Sequence, residues 1–167
     1  GWLKGAIDIA GNSALGTGLL SSSGNIDWFI ASFSPNGILR WQAKLGGSGD
    51  DLPAGIAVSG DQVSVFGTVK GRITTSFGSI SNSLPSGKEN LVIVSYGLNG
   101  TGQWLISGGS GDDEIPRSIA KDASRVFVAF RAKNNPFRWY DPAGAVLSSH
   151  SNSTDKEVRI SAFSISA

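Results

Sequence analysis

The chain has 167 residues and a mass of 17.3 kDa, with 14 Lys and Arg residues against 13 Asp and Glu residues. This near-neutral charge gives no general basic surface for nucleic acid or for an anionic membrane, and an apolar content of 40% argues against a disordered chain. The absence of Cys excludes disulfides and thiolate metal sites, and no apolar run approaches the ~20 residues of a membrane-spanning helix.

In chain order, the sequence predicts short β-strands separated by turns. Runs rich in Val, Ile, Phe and Trp alternate with Asn-Gly, Gly-Asp and Gly-Ser pairs, which is typical of β-hairpins. No window keeps the apolar period of a helix, so we expect almost no helix. Four strands are predicted in the first complete unit: Trp28–Phe33, Leu39–Lys44, Gly55–Val58 and Val63–Thr68.

The chain repeats itself with a period of about 63 residues, and a fixed period constrains the fold before any local prediction is made. Four landmarks recur in the same order. With their copies, they are Asp27–Phe33 and Asn90–Tyr96, Asn36–Trp41 and Asn99–Trp104, Gly46–Asp51 and Gly108–Asp113, and Pro53–Ile56 and Pro116–Ile119. The third pair is identical throughout and lies at a spacing of 62, whereas the others lie at 63, which we call the repeat spacing.

The repeat divides one predicted domain into four parts. Residues 1–26 form a partial unit, 27–89 the first repeat, 90–134 the second repeat, and 135–167 a degenerate or partial repeat. In the first part, Ala6–Ala10 and Leu15–Thr17 resemble the second half of a unit. In the last part, Phe137–Gly144 matches the turn at Phe33–Gly37.

Several predicted strands are apolar on both faces. In Trp28–Phe33, one face carries Phe, Ala and Phe, while the other carries Trp, Ile and Ser, and Leu91–Tyr96 and Val126–Phe130 behave alike. Burial on both faces favours a small sheet stacked between two neighbours, as in a propeller blade. The predicted fold is therefore all-β, with β-propeller-like blades of four-stranded antiparallel sheets.

The predicted strands amount to about three blades, whereas closed propellers have ~4–8. We therefore expect an open fragment of a longer propeller or a ring completed by oligomerisation. Apolar residues near both ends of the chain should then meet another chain, another copy or a further part of the polypeptide. These residues are Ile7, Ile9, Val158, Ile160 and Phe163.

The repeated residues resemble the bacterial β-propeller repeat called SBBP. The resemblance is carried by Phe29–Trp41, by the Leu-Gly-Gly-Ser-Gly-Asp-Asp run that ends at Asp51, by Gly55–Val58 and by Val65–Thr68. It extends through the second unit to Val128 and fades after Asn134. The resemblance implies a propeller in a bacterial surface or secreted protein, and it supplies no catalytic residue.

The two Gly-Gly-Ser-Gly-Asp-Asp loops have two interpretations. As a site, Asp50, Asp51, Asp112 and Asp113 are weak candidate ligands for Ca²⁺, although no Asp-x-Asp-x-Asp-Gly loop is present. As structure, the glycines supply positive φ and the Asp side chains cap backbone N–H groups. We favour structure, with no cofactor, and predict that the loops superpose with Asp51 and Asp113 bound to nearby N–H groups.

The aromatic residues offer the remaining candidate site. Trp41 and Trp104 occupy one repeat position, which favours packing between sheets. Trp139, flanked by Arg138 and Tyr140, departs from the repeat and is the predicted ligand-binding cluster. The single His150 lies in a serine-rich run without a nearby Asp in sequence, so we expect a solvated loop residue, and no Gly-x-Ser-x-Gly motif occurs.

Together these features predict a protein that is not an enzyme. We expect an extracellular or cell-surface structural or adhesive module that binds other protein chains or further copies of itself, without nucleic acid or membrane insertion. The alternative is a carbohydrate-binding propeller that holds a glycan on aromatic residues between blades. The sequence does not identify the partner.

Overall fold

A computed structural model describes residues 1–11, 18–75, 78–80, 88–132, 136–151 and 158–164. All regular structure in these ranges is β, as the hairpin pattern predicts. In chain order the strands are β1 Trp2–Leu3, β2 Ala6–Asp8, β3 Leu19–Ser21, β4 Asp27–Phe33, β5 Leu39–Leu45, β6 Leu52–Ser59, β7 Gln62–Lys70, β8 Ile73–Thr75, β9 Gly78–Ile80, β10 Glu89–Gly97, β11 Gly102–Gly109, β12 Ile115–Lys121, β13 Arg125–Arg131, β14 Phe137–Tyr140, β15 Val146–His150 and β16 Val158–Ser164.

Three antiparallel sheets build the body of the protein. The first outer sheet has the order β1-β4-β5, the central sheet β15-β14-β11-β10-β7-β6, and the second outer sheet β12-β13-β16. Two small hairpins, β2-β3 and β8-β9, accompany them. None of these sheets closes on itself within the described ranges. The predicted element Leu15–Thr17 lies outside the described residues.

The strands do not pair unit by unit, and this corrects the predicted four-stranded sheet. In the first repeat, β4 and β5 belong to the first outer sheet, whereas β6 and β7 belong to the central sheet. The hairpin β6-β7 pairs instead with β10-β11 of the second repeat, along the full length of β7 and β10. The central sheet thus combines the second half of the first repeat with the first half of the second repeat.

The inner strands of the central sheet, β7 and β10, are buried on both faces. Along β10, Val92, Val94 and Tyr96 belong to the core shared with the first outer sheet. Leu91 and Ile93 belong to the core shared with the second outer sheet. The doubly apolar pattern of this strand therefore has the predicted cause, because each face meets a neighbouring sheet.

Three turns have one backbone geometry. In residues 34–38, 97–101 and 141–145, the fourth residue is a glycine with positive φ, namely 78° for Gly37, 87° for Gly100 and 88° for Gly144. Each glycine N–H donates to the carbonyl oxygen of the first residue of its turn, and a second backbone bond closes each turn. The degenerate third copy therefore keeps the turn, although β14 joins the edge of β11 in the central sheet.

Candidate functional site

Asp51 organises the loop that follows β5. Its carboxylate is fully buried and accepts hydrogen bonds from the backbone N–H groups of Gly47 and Lys70, both at 2.7 Å. Its own N–H donates to the carbonyl oxygen of Ile26 at 2.7 Å. Burial is the main reason that the pKa of Asp51 is raised. The side chain ties three chain segments together, as the structural interpretation predicts.

In the second repeat, Glu114 occupies the position of Asp51, and this overturns the prediction that the identical hexapeptides superpose. Glu114 follows Asp51 at the repeat spacing. Its N–H donates to the Glu89 carbonyl oxygen, and Ser110 Oγ donates to its carboxylate. The hexapeptide match, at the shorter spacing, is therefore out of register with the strands. Positive φ occurs at Gly111 but at no glycine of the first loop.

Burial also changes the protonation of Glu114. Its side chain has no exposed surface, and Oε2 has no hydrogen-bond partner among the described residues. Burial raises the pKa of Glu114 to about 7, against the opposing influence of the Ser110 hydrogen bonds and of Arg159. Sequence reasoning missed Glu114, although strict counting at the repeat spacing points to it.

The candidate calcium ligands are engaged in local contacts. Asp50 accepts from Asn25 Nδ2 at 2.7 Å, and Asp112 forms an ion pair with Lys88 at 3.4 Å. Asp113 accepts from the Glu89 N–H at 3.0 Å, so its predicted bond to a backbone N–H is present. Within the described ranges, no three His, Asp or Glu side chains are grouped so that they could hold a metal ion.

The predicted ligand cluster at Trp139 is divided between the core and the surface. Trp139 is fully buried among aromatic rings, and its Nε1 donates to Ser161 Oγ at 2.9 Å. Arg138, on the adjacent position of β14, is exposed, and Tyr140 is half-buried. Because the Trp139 ring is fully buried, it cannot stack on a ligand at the surface. Its departure from the repeat reflects a position in the core.

His150 also departs from the sequence interpretation, which placed it in a solvated loop. It ends β15, is half-buried, and its Nε2 lies 3.3 Å from Ser161 Oγ. Burial, followed by the charge of Arg159, lowers the pKa of His150. Among the described residues, no carboxylate bonds to the ring to orient it as a catalytic base.

Trp41 joins the first outer sheet to the turn at residues 97–101. Its Nε1 donates to the Leu98 carbonyl oxygen at 2.7 Å, and its ring centroid lies 5.8 Å from that of Tyr96. A Cβ atom placed on Gly100 would approach Trp41 Cγ to 2.7 Å, so the indole rests directly on the glycine. Trp41 therefore packs between sheets, as its repeat position predicts.

Trp104 occupies the same repeat position but has a different environment. Its Nε1 is buried and finds no acceptor in the part of the chain that the structure describes. An unsatisfied buried N–H costs about 1–3 kcal/mol. The ring lines a groove of about 450 Å³, whose other lining residues are Ile106, Leu147, Ser148, Ala162, Phe163 and Ser164.

Apolar side chains occupy the middle of the outer face of the second outer sheet, between Arg125 and Arg131 of β13. Val158 is 67% exposed and Ile160 is 70% exposed on β16. Ile160 pairs with Ala129 on β13, and Ala162 pairs with the half-buried Phe127. We call this surface the β16 face. Val158 and Ile160 are therefore exposed at this end of the described chain, whereas Phe163 packs against the core.

The described residues include no helix that is long and apolar enough to cross a membrane. No protein-family model matches the chain, and no curated protein matches it either.

Proposed function

We propose that this protein is a non-enzymatic structural or adhesive module that associates with other protein chains or with further copies of itself. The observation that carries the proposal is the β16 face, where the side chains of Val158 and Ile160 are exposed to solvent beside Phe127 and Ala129. At β7 and β10, both faces of the central sheet are covered by apolar residues of a neighbouring sheet, while this apolar face has no cover among the described residues.

The energetics favour a partner for the β16 face. Each large apolar side chain left in water forfeits roughly 1.5–3 kcal/mol relative to burial. Two such side chains represent a substantial share of the ~5–15 kcal/mol by which a domain is stable. Contiguous exposed apolar surface of this kind is typical of protein interaction sites. A further sheet stacked on β13 and β16 would bury it as the central sheet is buried.

The proposal includes a β-propeller-like architecture and an extracellular or cell-surface location. Support for the architecture comes from sheets stacked face to face and from units that recur at the repeat spacing. Support for the location comes from the resemblance of the repeat to a bacterial surface or secreted family. Secretion of the full-length protein by its host, followed by surface labelling, tests the location.

The association is tested by measuring particle mass with sedimentation velocity from micromolar to near-millimolar concentration. We expect the native particle to exceed the 17.3 kDa of one chain. Ile160→Lys should raise the dissociation constant roughly tenfold or more because it places a charge in the contact. Ser149→Lys, which adds the same charge at an exposed position of β15, is the matched control. A particle with the mass of one chain, in which β16 is protected from hydrogen exchange, contradicts the proposal.

Carbohydrate binding is the second candidate function, and the groove at Trp104 is the observation that favours it. Trp104 and Phe163 offer aromatic surface, and Ser148 and Ser164 offer hydroxyl groups. A glycan array probed with the native chain and with Trp104→Ala tests this function. Binding that disappears in the variant supports it, and an array without any binding contradicts it.

A further inference from the structure

The contact at Trp41 has two halves, and each half has a free copy elsewhere in the chain. One half is the indole of Trp41, and the other is the turn at 97–101 with Tyr96 beside it. At the repeat spacing, Trp41 corresponds to Trp104, and the 97–101 turn corresponds to the turn at 34–38. The first repeat thus presents a turn with no indole on it, and the second repeat presents an indole that packs partly against the core and that no turn covers among the described residues.

The unoccupied turn is built like the occupied one. Gly37 has a φ of 78°, against 87° for Gly100, and both turns have the same pair of backbone hydrogen bonds. No atom of the described residues lies within 4 Å of a Cβ placed on Gly37, whereas the corresponding position on Gly100 is filled by Trp41. Phe33, which corresponds to Tyr96, is 44% exposed, and Ile38 is 67% exposed.

The unoccupied indole lacks a turn because of the way the third hairpin pairs. The turn at 141–145 is the next copy in sequence, but β14 adds to the edge of β11, with Gly108 opposite Trp139. It does not stack on the face of β11 that carries Trp104 and Ile106. The indole N–H is left without an acceptor among the described residues, and the groove remains open beside it.

We infer that the groove at Trp104 receives the 34–38 turn of a second copy of this chain, in a head-to-tail contact. In this contact, the Trp104 ring rests on Gly37 of the neighbouring copy and packs against its Phe33. A rotation of the indole brings Nε1 to the Pro35 carbonyl oxygen, which corresponds to that of Leu98. The contact reproduces between two chains what Trp41 forms within one.

The orientation of the sheets supports this contact. Trp28 and Ile30 on β4 face the central sheet, so the alternate side chains Phe29, Ala31 and Phe33 belong to the opposite face. The corresponding residues on β10 are Val92, Val94 and Tyr96, which face the sheet that carries Trp41. Since the two halves lie on different surfaces, each copy can engage two neighbours, and the assembly grows head to tail.

This inference rests on the proposed association of copies, and the experiment separates the two. All measurements use the full chain carrying Ile160→Lys, which places a charge on the β16 face at a residue that does not line the groove, and the groove and turn variants are compared within this background. Leu147→Lys blocks the groove at a side chain that is already 49% exposed. Its control is Val146→Lys on the same strand, which is 53% exposed and does not line the groove.

The turn is blocked separately by Gly37→Asn. Asn tolerates positive φ better than most residues, and its side chain meets open space in the free chain, so folding is preserved. The control is Gly111→Asn, where φ is 96° and nothing lies within 4 Å. We expect each blocking substitution to raise the dissociation constant roughly tenfold or more, and each control to leave it within about twofold of the parent.

Mixing the two blocked variants gives the decisive result. The Leu147→Lys variant has an intact turn at 34–38, and the Gly37→Asn variant has an intact groove at Trp104. In an equimolar mixture, the turn of the first variant can enter the groove of the second, and the assembly should stop at the mass of a dimer. Each variant alone should remain a monomer. A parent that does not associate, blocked variants that associate like their controls, or a mixture that stays monomeric overturns the inference.

Two further outcomes separate this contact from the other proposals. If only Ile160→Lys reduces association of the native chain, the proposed function stands and the groove contact is refuted. If the groove variants lose glycan binding instead of association, the groove binds a sugar and the inference is overturned.

Discussion

The hairpins β4-β5 and β10-β11 have the same sequence pattern and the same turn, yet they differ in burial. Every residue from Asn90 to Tyr96 is buried in the central sheet, whereas most of β4 after Trp28 is only partly covered. The difference arises because β10 has a sheet on each face and β4 has a sheet on one. The position of a strand among the stacked sheets therefore decides how much a given apolar residue contributes to the stability of the fold.

The largest expected effect comes from an isoleucine that the two repeats share. Ile93 is fully buried, and its equivalent in the first repeat, Ile30, is partly buried. We expect Ile93→Ala to lower the free energy of unfolding by about 4 kcal/mol, and Ile30→Ala to lower it by about 1.5 kcal/mol because part of that side chain already contacts water. Urea denaturation of both variants measures the difference. Equal losses would show that burial in the two layers is alike.

The second comparison concerns Asp51 and Glu114, which hold equivalent loops. The pKa of Glu114 is about 7 in the folded protein, against 4.5 for an ordinary Glu. Between these two pH values, the Glu114 side chain therefore keeps its proton in the folded chain and has lost it in the unfolded chain. The contribution of Glu114 to the free energy of unfolding is therefore fully present below about pH 4.5. It is lost as the pH rises to about 7, by an amount on the order of 3 kcal/mol.

Glu114→Gln should remove this part of the pH dependence, because the amide has no proton to lose at these pH values. The test compares the free energy of unfolding at pH 5 and at pH 8 for both proteins. Asp113→Asn is the control, since it deletes a negative charge at the exposed neighbouring position. If the native chain and Glu114→Gln lose stability in parallel, the assigned protonation of Glu114 is wrong.

The smallest expected effect comes from removing one indole N–H in each repeat. Trp41→Phe deletes the 2.7 Å hydrogen bond to Leu98 and should cost about 1 kcal/mol more than Trp104→Phe. In Trp104→Phe, the loss of ring area is offset by removal of a buried N–H that has no described acceptor. Thermal unfolding of dilute, monomeric samples measures both. A larger loss at Trp104 would mean that its N–H is already satisfied within one chain.

Local features of the fold could be read from the sequence. The all-β content, the hairpins, and the turns at 34–38 and 97–101 follow from alternating apolar residues and from Asn-Gly pairs, in which glycine adopts positive φ without strain. The turn at 141–145, which has no Asn-Gly pair, follows instead from the match of Phe137–Gly144 to the turn at Phe33–Gly37. The burial of β10 on both faces followed from its composition. These properties depend on neighbouring residues, so the sequence by itself determined them.

The partners of the strands were decided only by the tertiary structure. Any two antiparallel strands can form the same ladder of backbone hydrogen bonds, so nothing local indicates that β7 pairs with β10 or that β14 adds to β11. The same non-local choices placed Trp139 in the core, left Trp104 beside an open groove, and gave the role of Asp51 to Glu114 although an identical hexapeptide ends at the preceding position. Each outcome depends on which sheet covers a side chain, because burial and partner geometry are set by segments that are distant in the chain.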